Sequence, residues 1–144
     1  MSATTAYTSN LQKGGALLDV SALFVSHWDD RRSSEENLAA VVEIGAASAV
    51  RRADLSDRIL RPRFIEPGPH VVSALKVLLD SDRRAFRDAC YFEASRAEPL
   101  LADFAEGPLF DWYQTGRSTV TVDDAVAWIA QMARRGLAPA WLSL

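Results

Sequence analysis

Apolar residues recur along this chain at spacings of three and four, the period of a helix with one buried face. Leu17, Val20, Phe24 and Trp28 form the first stripe, with Leu18, Ser21 and Val25 beside them. Asp29 to Arg32 reads as a solvated turn. Ser33 with Glu36 reads as a capping box opening a second helix to Ile44, with Gly45 as its C′ residue. A third helix is expected from Ala49 to Arg61, capped by Ser48. Pro62 is expected to stop it, because the residue before a proline avoids the α region. Pro69 opens a fourth helix with the stripe Val71, Leu75, Leu78 and Leu79. Ser81 or Asp82 caps a fifth, which carries Ala85, Phe86, Ala89 and Cys90. One or two further helices fill residues 97–115, divided at Gly107-Pro108. Thr121 with Asp124 is a second capping box, and Val122, Val126, Ile129 and Ala133 line the helix that Gly136 ends.

No stretch alternates convincingly with period two, and there is no internal repeat or domain-dividing linker. The pattern therefore predicts an all-α, compact single-domain bundle of about six to seven helices over residues 1–144. Residues 1–12 are polar and expected to be loosely ordered. Ala138 to Leu144, with Trp141, is apolar and suits docking against a partner or a missing C-terminal helical extension.

Composition narrows the function classes. The 144 residues are 49% hydrophobic and 24% charged, ordinary for a soluble globular chain. The net charge of −3 means that any nucleic-acid contact has to come from a local patch. The basic residues are 14 arginines and 2 lysines, a bias that suits phosphate and carboxylate recognition. Cys90 is the only cysteine, so an intramolecular disulfide is excluded and a reducing cytoplasm is the expected setting. The start has no basic and apolar leader pattern, and Asp19 and Glu43 interrupt the longest apolar runs, so no membrane association is expected.

The residues assemble no catalytic constellation. His27 and His70 lack metal-ligand spacing, Cys90 sits among aromatic residues as a buried thiol would, and Asp123-Asp124 match a helix N-terminus. Gly14-Gly15 does not make a P-loop. The expectation is a non-enzyme with no cofactor, no metal and no small-molecule substrate. Trp28, Trp112 and Trp128 read as core residues.

One surface collects positive charge. On the third helix Arg51, Asp54, Arg58 and Arg61 share a face at spacings of three and four, followed by Arg63 and Phe64. Arg51, Arg58, Arg61 and Arg63 could neutralise successive phosphates, with Lys13, Arg31 and Arg32 as neighbours. Asp54 is equally well spaced to pair with Arg51 and Arg58, so spacing alone leaves a solvated face and a nucleic-acid surface both open. Arg52 points into the apolar arc and needs a partner such as Glu43, or an edge position where its stem is buried.

Two blocks carry a family resemblance. The stretch YTSNLQKGGALLDVSALFVSHW, Tyr7 to Trp28, resembles the start of the BrxA-like family of bacteriophage-exclusion (BREX) proteins. Tyr7, Thr8, Lys13 and Gly14, with Leu17 and Leu18, occupy the places of its Tyr-Thr pair, Lys-Gly pair and apolar helix. Ser48, Arg51, Leu55, Ile59, Leu60, Arg63 and Phe64 look like its small-and-basic helix with a Pro-Arg-Phe ending. The resemblance implies a NusB-like helical fold and a non-enzymatic role in phage defence. It also implies binding to double-stranded DNA, beside other BREX proteins. A competing expectation is a protein-interaction adaptor that docks onto those components without touching nucleic acid. Family members usually continue with further helices past the point where Leu144 ends this chain.

Overall fold

The computed structural model describes residue 7, residues 18–45 and residues 48–136. The expectations for residues 1–12 other than Tyr7, for Lys13 and for the C-terminal segment with Trp141 lie outside these residues. The described chain is all-α, with no strand. It groups into two compact units, one within residues 10–97 and one comprising residues 98–136 with Tyr7.

The first unit opens with α1, Leu18–His27, and α2, Ser34–Gly45. The Ser33 and Glu36 capping box forms as expected: the Glu36 carboxylate accepts from Ser33 N at 2.8 Å, and Glu36 N donates to Ser33 Oγ at 3.2 Å. α3, Ala49–Ala53, is capped by the Ser48 side chain, which accepts from Arg51 N. It runs directly into a π-helix, Asp54–Ile65. α4, Pro69–Ser81, and α5, Arg83–Ala97, complete the unit. Gly68 precedes α4 at φ 108, a left-handed conformation that glycine adopts at no steric cost. Asp82, rather than Ser81, caps α5 by accepting from Arg84 N and Ala85 N, both at 3.0 Å.

Pro62 does not stop the third helix. A proline inside an α-helix loses one hydrogen bond and clashes with the carbonyl four residues back. Here the turn widens to five-residue spacing, as in Glu66 N to Arg61 O at 3.0 Å, which leaves room for the ring. The same happens in the second unit. α6, Pro99–Phe104, continues through a π-helical turn at Ala105–Leu109 that contains Pro108, and on into α7, Phe110–Gln114. Of the one or two helices expected over residues 97–115, the chain forms one continuous run that passes through Gly107-Pro108.

Widening the turn changes which residues face inward. Leu55, Ile59, Leu60 and Phe64, spaced by four or five, are all at most 2% exposed. They meet Phe24, Val25 and Trp28 of α1, Leu38 and Val41 of α2, Val72 and Leu75 of α4, and Phe86 and Cys90 of α5. Phe24 stacks on Phe64 with centroids 5.6 Å apart and meets the edge of Trp28 at the same distance. Val71, Leu78 and Leu79 of the expected α4 stripe lie at the margin of this core.

In the second unit, α8, Val122–Arg134, starts at a complete capping box between Thr121 and Asp124. Its apolar stripe is covered only in part, with Ile129 and Ala133 half-buried. Val122 and Val126 are exposed, and the buried side chain is Met132. Phe104 meets the ring edges of Trp112 and Trp128, with centroids 6.0 and 5.3 Å away, so both tryptophans are half-buried. Tyr7 belongs to this unit, where its hydroxyl donates to Asp103 at 2.5 Å. Burial and that bond push the phenol up to about 12.

Candidate nucleic-acid interface

The arginine edge begins where Ser48 fixes the first turn of α3, so the faces of Arg51 and Arg52 diverge by about 100°. Arg51 is exposed and Arg52 is half-buried, with Nε 3.9 Å from Glu43, the partner expected from its inward position. Arg58 is about half exposed and reaches Asp54 at 3.3 Å, four residues earlier on the same face. Arg61 is held more tightly. Its two terminal nitrogens donate to the two oxygens of Glu35 on α2, at 2.7 and 2.9 Å, and Asp57 lies 3.8 Å from its Nε. These bonds hold the Glu35 carboxyl below its ordinary pKa and raise that of the Arg61 guanidinium.

Arg63 is corrected by the structure. It was placed with the phosphate-contacting set, but it is 1% exposed. Because the helix continues through Pro62, Arg63 falls four residues after Ile59 on the inward side. Beside it, Arg96 of α5 donates to Pro62 O and Arg63 O at 2.9 and 3.2 Å, supplying partners for carbonyls near the helix end. Glu93 in turn accepts from Arg96 Nε at 2.7 Å.

Arg31 and Arg32 sit on the turn between α1 and α2, and both face Asp29. Arg31 donates through Nε and Nη2 at 3.0 Å, and Arg32 Nε lies 3.7 Å away. The Arg31 side chain and then its backbone N–H pull the Asp29 carboxyl down to about 2. The turn itself is anchored from below by Asn37, which the sequence reading passed over. Asn37 Nδ2 donates to the carbonyls of Asp29, Arg32 and Ser33, and its Oδ1 accepts from Asp29 N at 2.8 Å. The available signal was an asparagine four residues before Val41, on the buried side of α2.

The expected surface is thus brought together only in part. Arg51, Arg58 and Arg61 share one helix, but Arg58 and Arg61 each face a carboxylate of this chain, as do Arg31 and Arg32. Two arginines outside the expected set differ. Arg83 and Arg84 are exposed and form no ion pair among the described residues. The signal for them was an arginine doublet directly after the cap Asp82; its surrounding aspartates made the segment look balanced.

Other chemistry is sparse. Among the described residues, no three His, Cys, Asp or Glu side chains converge as a metal set. No helix among them is long and apolar enough to cross a membrane. His27 packs on its own helix end, with Nδ1 3.0 Å from Leu23 O. Cys90 is 3% exposed, and burial pushes its thiol up to about 11, with nearby Arg63 opposing. Titration of the native protein with a disulfide reagent at pH 8 is therefore expected to leave Cys90 largely unreacted until denaturant is added. Stoichiometric labelling within seconds without denaturant would contradict its burial.

In the second unit, Arg117 stacks over Trp112, 4.7 Å from the ring centroid, and donates to Asp124 at 2.6 Å. That bond and those from Thr121 lower the Asp124 carboxyl to about 2. Leu109, Phe110, Tyr113 and Val120 border an open, mostly apolar groove next to Arg117.

No protein-family model, curated protein or solved structure matches this chain.

Proposed function

We propose that this chain is a non-enzymatic accessory protein of a BREX-type phage-defence system that binds duplex DNA through backbone phosphates. Support for the family comes from the blocks Tyr7 to Trp28 and Ser48 to Phe64. The observation that carries the DNA reading is the exposure of the arginines in the first unit. Arg31, Arg32, Arg51, Arg58, Arg83, Arg84 and Arg87 all lie at the surface. In the ion pairs among them the arginine side chain is about half exposed or more, which leaves room for a phosphate beside the carboxylate. Arginine engages phosphate through two parallel hydrogen bonds.

Contacts of this kind are independent of base sequence and strongly salt-dependent. A mobility-shift assay is expected to retard duplexes of unrelated sequence alike at low salt and to lose the shift steeply as salt rises. No retardation at the lowest ionic strength would sink the reading.

A second reading, an adaptor that docks onto other BREX proteins, is favoured by the exposed apolar side chains of the second unit. Phe110, Tyr113 and Val122 are more than half exposed, at 52%, 75% and 77%. Pull-downs with nuclease added separate the two: a complex with BREX components that survives nuclease supports docking, and one that disappears was bridged by nucleic acid.

A further inference from the structure

We infer that the phosphate-contacting surface is centred on Arg83, Arg84 and Arg87 at the start of α5, not on the Arg51 to Arg63 edge; this rests on the duplex-DNA reading above. All three side chains are exposed. Among the described residues Arg83 and Arg84 have no carboxylate at ion-pair distance, and Arg87 pairs with its sequence neighbour Asp88 at 3.3 Å. On α3 and its π-helical continuation, by contrast, Arg52, Arg58 and Arg61 each have a carboxylate in reach.

The position argues for a ligand as well. Cations in the first turn of a helix oppose its dipole, so this placement does not serve the stability of α5. The helix already has its stabilising anion in Asp82, whose carboxylate is engaged by the N–H groups of Arg84 and Ala85. Arg83 and Arg87 lie about one turn apart, roughly 6 Å along the axis, so both can meet one extended ligand. Arg83 and Arg87 line an open hollow together with Leu18, Ala22, Leu79 and Phe86, apolar side chains against which long arginine stems can pack. Asp19 also lines that hollow and limits how deeply an anion can sit, which favours backbone contact from outside over a buried phosphate. On a duplex backbone each of the three guanidiniums can grip one phosphate with two bonds.

The test measures anisotropy of a short labelled duplex across a range of NaCl concentrations. It compares the unaltered protein with Arg83→Gln/Arg84→Gln/Arg87→Gln and with Arg52→Gln/Arg61→Gln. The expected result is a triple variant whose log K against log salt is shallower by about 2.7, or 0.9 for each of three phosphates. The double variant is expected to keep the original slope. Thermal melts followed by circular dichroism are expected to match, since the substituted side chains of the triple variant are exposed. A triple variant with the original slope overturns this surface while leaving duplex binding intact. Polyglutamate displacing the duplex as well as unlabelled DNA does, charge for charge, overturns it in favour of an acidic protein partner. No binding by the unaltered protein overturns the DNA reading and this inference with it.

Discussion

Phe64→Ala lowers the free energy of unfolding by about 3–5 kcal/mol, the range for removing a large aromatic side chain from a packed core. Phe64 is fully buried and stacks on Phe24, which in turn meets Trp28, so the ring joins the π-helix to α1. Its loss leaves a cavity lined by side chains on separate helices, which cannot all collapse inward together. Urea denaturation followed by circular dichroism measures the change. Phe92→Ala is the control. Phe92 lies on α5 but is 67% exposed, and its removal is expected to change stability by no more than about 0.5 kcal/mol. Equal losses for the two variants would show that Phe64 is not a core residue.

Asn37→Ala is expected to cost about 2–4 kcal/mol, and Asn37→Asp more than that. Asn37 is 1% exposed, and its amide serves four backbone groups of the turn between α1 and α2. Alanine leaves the Asp29 N–H without its acceptor and takes the side-chain donor from the three carbonyls, in a place water reaches poorly. Of these carbonyls, Asp29 O and Ser33 O keep the backbone donors Arg32 N and Asn37 N. Aspartate is worse because it sets an acceptor, and at neutral pH a charge, against three carbonyl oxygens. The same denaturation experiment ranks the variants. Asn37→Asp matching or exceeding Asn37→Ala in stability would refute the described hydrogen-bond network. A second consequence follows from position: the turn carries Arg31 and Arg32, so loosening it frees Asp29 from Arg31 and returns the Asp29 carboxyl toward its ordinary pKa.

Much of the helical layout was legible in advance, and the reason is local. The caps at Ser33, Ser48, Asp82 and Thr121 each satisfy backbone N–H groups of the next few residues, so their signals lie within four positions of sequence. The stripe of α1 and the apolar residues Leu55, Ile59 and Leu60 likewise follow from periodicity. The candidate surface was less legible. Arg58 and Asp54 could be paired from their spacing, and Arg52 with Glu43 from its inward position. The Arg61 and Glu35 contact joins positions 26 apart, and no local pattern announces it.

The two prolines mark the same limit. Pro62 and Pro108 are strong stop signals when read locally. In each case the chain widens its turn and continues. For Pro62 the compensation is visible: Phe64, three residues after the last expected helical position, is held in a core shared with α1, and Arg96 engages the carbonyls of Pro62 and Arg63. Packing against other helices offsets what the backbone loses at the proline.

By itself the sequence determined the all-α class, where most helices begin and the absence of a recognisable catalytic motif. Those properties depend on neighbours along the chain. Only the tertiary structure decided that Arg63 is buried, that Arg61 faces Glu35, and that Arg83 and Arg84 form no ion pair among the described residues. Whether an arginine is available to a partner depends on which carboxylate the fold brings within about 4 Å of it. In the case of Arg61 that carboxylate is far away in sequence, and the energy of a charge pair is set by distance in space and by solvent, not by order along the chain.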